Sequence, residues 1–212
     1  MSHNTPLIST IEYRYLAKVP ERIVVVGTSC CGKTAFSREL ARYQDCALVE
    51  LDELFWGPHW TPKPESDFRR LTAIAAATPR WVTDGNYGRV RDVLWPRATS
   101  IIWLNYGFFT VMFRALRRTI SRNITKEELW HGNRESFARS FFSRESILIW
   151  VITTFHRRRR ELHALRASDK YPHLSWIEFR TPSEAARYIK LATMPAPSIH
   201  AGLEKRAADF AR

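Results

Sequence analysis

Five short apolar runs, rich in β-branched and aromatic residues, divide the chain at intervals. They occupy residues 23–26, 47–51, 81–83, 100–104 and 174–179. None shows the strict alternation of a half-buried strand, which is typical of strands buried on both faces. Because the segments between them carry helical patterns, the order of elements predicts an α/β fold with a parallel sheet covered by helices on both faces.

Apolar residues at spacings of three and four predict the helices between the strands. A first helix covers residues 35–43, directly after the first strand. A second places Phe68, Leu71 and Ala75 on one face and ends near Pro79. Three prolines and a glycine within residues 56–64 predict a loop before this second helix.

The stretch from residue 106 to residue 166 contains no strand pattern. Its first helix is indicated by a stripe of large apolar residues: Phe109, Met112, Phe113, Leu116 and Ile120. Thr125 and Glu128 then have the spacing of a capping box at a helix start. A long helix follows over about residues 148–165. We expect this region to form a helical lid that projects from the sheet.

The two ends of the chain carry weaker patterns. Residues 1–20 lack periodicity and predict a loosely attached leader, and residues 193–212 predict a tail. Thr181, Pro182 and Glu184 supply a cap, a first-turn proline and a box partner for a last helix that reaches about Ala192. The sequence therefore predicts one domain over residues 21–192, without an internal repeat.

Composition narrows the class of protein. With 212 residues, of which 45% are hydrophobic, the chain is able to bury a sizeable core. Its formal charge of +12 favours polyanions such as nucleotides, nucleic acids or anionic membrane surfaces. Four consecutive arginines at 157–160 are the strongest argument for DNA, although they point around a helix. The alternative is that the arginines line a phosphate-binding cleft and solubilise helix faces.

The cysteines and the hydropathy of the chain indicate in which cellular compartment the protein is expected. The three cysteines, Cys30, Cys31 and Cys46, give neither a disulfide framework nor metal-ligand spacing, which indicates reducing surroundings. No apolar run approaches the roughly 18 residues of a spanning helix. We therefore expect a cytoplasmic protein without a membrane partner. Nothing in the sequence indicates its oligomeric state.

The most informative motif lies between the first strand and the first helix. It reads Gly27-Thr28-Ser29-Cys30-Cys31-Gly32-Lys33-Thr34-Ala35. Its first eight residues match the phosphate-loop pattern of a glycine, four variable residues and Gly-Lys-Thr. Backbone N–H groups of such a loop converge on one anion, and the helix N-terminus adds positive charge. Lys33 then reaches the β- and γ-phosphates and the Thr34 hydroxyl ligates Mg²⁺. The motif predicts a nucleotide-binding protein.

Two carboxylates follow the second and third strands. Asp52 and Asp84 fall on the edge of a parallel sheet where ligands bind. A carboxylate there serves either to hold Mg²⁺ or to accept the proton of an attacking hydroxyl. Asp52 is the better candidate for a general base if the acceptor is an alcohol, and it only positions the acceptor if that acceptor is a phosphate. For each residue the alternative is a loop-capping aspartate.

Several segments together resemble a known family, the small P-loop proteins related to adenylate kinase that are often labelled DNA topology modulation proteins. The segments are 22–34, 51–52, 56–60, 81–87, 93–98, 132–136 and the arginines near 157. This resemblance implies a three-layer α/β/α fold with strand order 2-3-1-4-5, ATP binding and a kinase-like lid. One departure concerns the phosphate loop, because Cys30-Cys31 stands where the family usually has Gly-Ser. Cys30 is then either a reactive thiol or an inert small residue.

The resemblance also suggests roles for residues outside the loop. Asp84 resembles the Asp-Gly of monophosphate kinases and takes the metal-side role. Arg89 resembles the arginine that holds their acceptor. Arg134 and Arg139 of the lid are placed to bond the transferring phosphoryl group, or else are solvated helix residues. His59 and Trp60, which lie between prolines, are candidates for the acceptor pocket, although a lone histidine is more often structural.

Two functions remain in competition. The first is a nucleotide-kinase-like phosphotransferase that uses ATP and Mg²⁺, with Lys33, Asp52, Asp84 and Arg134 as the catalytic set and a nucleotide or another small molecule as acceptor. The second is an ATP-binding regulator that contacts DNA through its arginine surface. Binding to DNA that weakens steeply with salt is expected only of the second.

Overall fold

The computed structural model describes residues 21–125, 130–132 and 147–192. The chain divides into two compact units. One is Pro20–Ala185, which contains the sheet and the phosphate loop. The other consists of Met1–Val19 with Ala186–Arg212, of which the description covers only residues 186–192, the C-terminal part of the last helix.

A five-stranded parallel sheet forms the centre of the first unit. Its strands are β1 (Arg22–Gly27), β2 (Ala47–Glu50), β3 (Trp81–Asp84), β4 (Ser100–Leu104) and β5 (Ser175–Phe179). They are hydrogen-bonded in the order β2-β3-β1-β4-β5, with every neighbouring pair parallel. The parallel sheet predicted from the apolar runs and the strand order implied by the resemblance are both confirmed.

Five of the described helices fall where the periodicity indicates, whereas two short ones, over residues 51–55 and 91–94, were not expected. The helices are α1 (Lys33–Gln44), α2 (Leu51–Phe55), α3 (Glu65–Ala75), α4 (Arg91–Leu94), α5 (Phe108–Thr125), α6 (Ile147–Ala167) and α7 (Pro182–Ala192). Single 3₁₀ turns cover Pro58–Trp60, Gly88–Val90 and Trp130–Gly132. One boundary differs from expectation, because Leu51 begins α2 and does not end the second strand.

Side chains alternate across β1, and both of its faces are covered. Val24 and Val26 lie in a core that receives Phe68 from α3, Leu94 from α4 and Leu162 from α6, among other residues. Ile23 and Val25 point to the opposite face and are fully buried. Helix α1, whose buried residues include Phe36 and Leu40, packs against β1, β2 and β3. Helices on both faces give the three-layer α/β/α arrangement.

The predicted cap of the last helix is present. The backbone N–H of Glu184 donates to the Thr181 hydroxyl at 3.3 Å, and the Glu184 carboxylate accepts from the backbone N–H of Arg180 at 2.7 Å. Of the capping box expected at Thr125 and Glu128, only Thr125 lies among the described residues. Thr125 ends α5, and its hydroxyl donates back to the carbonyl oxygen of Ser121 at 3.0 Å.

The large apolar stripe of α5 faces away from the helix that packs against it. Phe109 is 86% exposed and Phe113 is 66% exposed. The buried residues are instead Val111, Ala115 and Thr119. Helix α5 contacts α6, and there the Phe108 ring packs edge-on against the Phe155 ring with the centroids 5.2 Å apart. The described helices include none that is both long and apolar enough to cross a membrane.

Candidate active site

The loop between β1 and α1 forms a concave turn that two glycines make possible. Gly27 has a φ of 154°, and a Cβ there would lie 2.7 Å from the carbonyl oxygen of Leu104. Gly32 has a φ of 99° and precedes the first residue of α1. A side chain at Gly27 would collide with backbone, and at Gly32 it would be strained. The glycines of the motif are therefore required by the path of the loop.

Cys30 occupies a conformation that favours glycine. Its φ is 62°, in the left-handed region, which costs a non-glycine residue about 1 kcal/mol or more. The departure from the family pattern therefore keeps the loop shape and adds strain. Its neighbour Cys31 is fully buried, and burial raises the pKa of the Cys31 thiol, an effect that Lys33 opposes. Cys31 is thus a packing residue.

Lys33 and Thr28 carry groups that suit a phosphate ligand. The Lys33 ammonium donates to the carbonyl oxygens of Gly27 and Thr28, at 3.3 and 3.0 Å. The Thr28 hydroxyl is buried and has no hydrogen-bond partner within the part of the chain that is described. A buried hydroxyl without a partner costs free energy, so a ligand oxygen at this position would stabilise it. The loop therefore fits a bound triphosphate.

Thr34 and Asp84 meet, as the sequence predicts for a metal-side pair. The Thr34 hydroxyl donates to Oδ2 of Asp84 at 2.5 Å. Asp84 ends β3 and is only 4% exposed. Burial raises the pKa of its carboxyl group, while the Thr34 hydrogen bond and the charge of Lys33 oppose this rise. The two oxygen ligands fit Mg²⁺, which when bound would neutralise charge on the phosphates.

Asn86 fastens the loop to the end of β3. Its side-chain amide donates to the carbonyl oxygen of Gly27, and its Oδ1 accepts from the Gly27 backbone N–H at 3.1 Å. Both backbone groups of the first loop glycine are therefore paired with one side chain. No role for Asn86 was predicted, because an asparagine after a strand is also an ordinary turn residue.

Helix α5 supplies two arginines to the same loop. Arg114 donates to the carbonyl oxygen of Cys31 at 2.7 Å, and Arg118 lies 3.8 Å from the Cys30 sulfur. From α6, the indole N–H of Trp150 donates to the Ser29 hydroxyl at 3.1 Å. Sequence reasoning assigned these arginines only to the polar faces of a helix. Their spacing of four residues, which places both on one side, was the available signal.

Asp52 lies at the start of α2, beside the end of β3. The Tyr87 hydroxyl donates to Oδ1 of Asp52 at 2.5 Å. Burial and the negative charge of Asp52 raise the pKa of Tyr87 far above its usual range, so Tyr87 stays neutral and keeps its proton for this bond. Phe55 and Phe68 pack on the Tyr87 ring, with centroids 5.0 and 5.1 Å away. The carboxylate therefore has a fixed orientation.

The remaining candidate residues are His59, Trp60, Arg89, Arg134 and Arg139. His59 is exposed, and Trp60 packs edge-on against Trp56 with the ring centroids 5.7 Å apart. Arg89 is exposed, with its Nε 3.9 Å from the carboxylate of Glu65. Arg134 and Arg139 lie outside the described residues. An unexpected neighbour is His131, whose Nε2 is 3.3 Å from the Glu53 carbonyl oxygen.

Of the four consecutive arginines at 157–160 on α6, two contact other side chains of the protein and two are exposed. Arg158 bonds Glu161 at 3.1 Å, and the Arg159 guanidinium lies over the Phe155 ring at 5.5 Å. Arg157 and Arg160 are exposed. Consecutive residues on a helix face different directions, and here half of the run contacts its own helix. Only part of the run is available to an external polyanion.

The fold and the loop together define a class. A parallel sheet of order 2-3-1-4-5, with a glycine-lysine-threonine loop joining its central strand to a helix, is the P-loop nucleotide-kinase-like fold. No protein-family model matches the chain, and no curated protein matches it. The topology-modulation resemblance thus stays a prediction.

Solved structures give distant similarities. A gluconokinase from Sinorhizobium meliloti 1021 is 16% identical, with 91% of this chain and 97% of that chain covered and a TM-score of 0.47. A shikimate kinase from Bacteroides thetaiotaomicron is 14% identical over 81% of this chain and 96% of that chain, with a TM-score of 0.46. A shikimate kinase from Acinetobacter baumannii, in complex with shikimate, is 17% identical, with 82% of this chain and 89% of that chain covered and a TM-score of 0.45. Similarity at this level assigns no activity to the chain.

Proposed function

We propose that the protein is an ATP-dependent phosphotransferase that moves the γ-phosphoryl group of ATP to the hydroxyl of a small molecule. The observation that carries this proposal is the placement of Lys33, Thr34 and Asp84 around one loop, with Asp52 on the neighbouring strand end. A protein that only bound nucleotide would not require a second, oriented carboxylate beside the phosphate site.

The residues would divide the work between donor and acceptor. Loop N–H groups and Lys33 would hold the ATP phosphates and stabilise the charge that develops during transfer. Thr34 and Asp84 would hold Mg²⁺. Asp52 would accept the proton of the acceptor hydroxyl, while Tyr87 keeps the carboxylate in position. Arg134 and Arg139 retain their predicted role at the transferring group, and Arg89 its predicted role at the acceptor.

Transfer of label from γ-labelled ATP to a panel of nucleotides, sugars and hydroxy acids tests the proposal. We expect a labelled product with the native protein and a loss of about 100-fold or more with Lys33→Ala, because one charge-stabilising donor typically contributes that much. Lys170→Ala is the matched control, since Lys170 lies in the turn before β5 and its ammonium contacts the Tyr171 ring.

Two results would count against this function. Turnover that survives Lys33→Ala would show that the loop is not the donor site. Absence of any labelled product, together with retention on DNA that falls steeply with salt, would favour the DNA-binding regulator instead.

A further inference from the structure

A second pocket lies at the amino-terminal ends of the strands, on the other side of the sheet from the phosphate loop. Its wall includes Arg22, the first residue of β1, and parts of the turns that lead into β3, β4 and β5, among them Arg97 and His173. Because β1 runs from Arg22 to Gly27, the pocket lies roughly 16 Å from the loop. Its volume of about 520 Å³ is enough for a small organic molecule.

Main-chain oxygen atoms orient two guanidinium groups at this pocket. Nε of Arg22 donates to the carbonyl oxygen of Arg97, and Nη1 of Arg22 lies 3.5 Å from the carbonyl oxygen of Pro79. Nη2 of Arg97 lies 3.4 Å from the carbonyl oxygen of Ala77. Among the described residues, Nη2 of Arg22 and Nη1 of Arg97 have no hydrogen-bond partner. Each guanidinium therefore keeps donors that a ligand is able to use.

The charges around the pocket do not balance. The carboxylate of Glu21, which is 52% exposed, lies 3.9 Å from Nη1 of Arg22. Within the part of the chain that is described, Arg97 forms no ion pair. His173 adds a further polar group, since one of its ring nitrogens, Nε2, lies 3.2 Å from the carbonyl oxygen of Trp95. Two guanidinium groups thus face one distant carboxylate, and the pocket has a net positive charge.

We propose that this pocket binds the phosphate group of a small phosphate ester, with Arg22 and Arg97 as its ligands. A phosphate monoester carries between one and a half and two negative charges at neutral pH and offers three acceptor oxygens. These suit two guanidinium groups that come from separate turns. The rings of Pro79 and Pro96 supply an apolar surface for the rest of the molecule. The site is independent of the proposed phosphoryl transfer, because the phosphate loop that would hold ATP lies at the other end of β1.

Thr78 offers a way to block the pocket while both arginines stay in place. Its side chain is part of the wall, and its hydroxyl donates to the carbonyl oxygen of Arg80 at 3.2 Å. Thr78→Glu adds a carboxylate that competes with the ligand for the guanidinium groups. Thr78→Gln loses the same hydroxyl and has nearly the same size without the charge. Arginines that served only to tie the turns together would make the two variants equal in ligand binding.

Calorimetric titration with ribose 5-phosphate tests the proposal, on protein saturated with Mg²⁺ and a non-hydrolysable ATP analogue so that the loop is filled. Ribose is the neutral counterpart. We expect saturable binding of ribose 5-phosphate and none of ribose. Arg97→Met is expected to weaken binding about 10-fold, since a charge-assisted bond is lost. We expect a similar loss with Thr78→Glu, and changes of less than two-fold with Thr78→Gln and with Arg157→Met, an exposed arginine of α6.

Thermal unfolding shows whether each variant is folded, and the two Thr78 variants decide the question if Arg97→Met is not. Ribose that binds as tightly as its phosphate, or no binding of ribose 5-phosphate, would overturn the site. So would an affinity unchanged by both Arg97→Met and Thr78→Glu. A short DNA duplex that binds through Arg97 when ribose 5-phosphate does not would replace the small ester by a polynucleotide. Lys33→Ala, which tests the phosphotransferase, is expected to leave this binding unchanged, so the two proposals fail separately.

Discussion

The donor side and the acceptor side of the site are built in different ways. On the donor side, one continuous segment from Gly27 to Thr34 supplies the loop, and its shape depends on backbone conformation at Gly27, Cys30 and Gly32. On the proposed acceptor side, Asp52 and Tyr87 come from separate elements and meet only in the folded protein. Under the proposed function, the first side would bind what all nucleotides share, and the second would determine what is phosphorylated.

This difference indicates where substitutions act. If the proposed function is right, a change in the loop alters a backbone cradle for any nucleoside triphosphate, so we expect it to affect every reaction of the protein. We expect a change on the acceptor side to alter contacts to one class of molecule and to leave nucleotide binding intact. Variants that change only one of the two sides therefore test best whether the sides act independently.

Asp84→Asn gives the largest expected loss. We expect transfer of label from ATP to fall by about 100-fold or more, because the amide lacks the charge that a divalent cation beside Thr34 requires. Asp84→Glu keeps the charge and serves as the comparison. Full activity in the asparagine variant would remove Asp84 from the donor side.

The same variant gives a pH-dependent stability signal. The folded-state pKa of Asp84 is raised, so between about pH 4 and that raised pKa the Asp84 carboxyl binds more protons in the native state than in the unfolded chain. Asp84 thus contributes a loss of stability as the pH rises through this window, and Asp84→Asn lacks this contribution. We expect the variant to be the more stable protein at neutral pH, with the difference vanishing in acid. Thermal unfolding across pH measures it, and a constant difference would contradict the raised pKa.

Asn86→Ala tests how the two sides are joined. It leaves the Gly27 N–H without its side-chain partner and the Gly27 carbonyl oxygen with Lys33 alone, at a cost of about 1–3 kcal/mol in the free energy of unfolding. We expect ATP affinity to fall about 10-fold as the loop loosens. Denaturant unfolding and calorimetry measure these effects. An unchanged affinity would mean that the loop keeps its shape without Asn86.

Tyr87→Phe tests whether the acceptor side can be altered without a change in ATP binding. Loss of the hydroxyl leaves Asp52 without its hydrogen bond, so we expect about 5- to 10-fold slower phosphoryl transfer. ATP affinity is expected to stay unchanged. Steady-state kinetics and calorimetry on the same preparation give both values. Weaker ATP binding in this variant would show that the two sides are not independent.

Cys30→Gly gives the smallest expected effect, and it is a gain. Removing the left-handed strain stabilises the native protein, while glycine adds backbone entropy to the unfolded chain, for a net gain of about 0.5–1 kcal/mol. Cys30→Ala retains the strain and serves as the control. Equal stabilities of the glycine and alanine variants, measured by denaturant unfolding, would contradict a left-handed Cys30.

The donor side was predictable because its signals are contiguous. The apolar run of β1, the two glycines and Lys33-Thr34 lie within a dozen residues, and each has one dominant structural meaning. The pairing of Thr34 with Asp84 also followed, since the ends of neighbouring parallel strands meet at one edge of the sheet.

The acceptor side and the helices beside it were less predictable. Helical spacing predicted α5. Because both of its faces carry apolar residues, the spacing of those residues does not show which face packs against the rest of the protein. In the structure Val111 and Ala115 are buried and Phe109 is exposed. Arg91 and Glu161 are bonded although they lie far apart in sequence, so no local pattern predicts their contact.

Calorimetric titration with Mg-ATP is the most direct test of the central claim, that the loop from Gly27 to Thr34 binds the triphosphate of ATP. We predict saturable binding to the native protein and to the acceptor-side variant Tyr87→Phe, with binding to Lys33→Ala strongly weakened. No heat of binding with the native protein, or equal binding to Lys33→Ala, would contradict it.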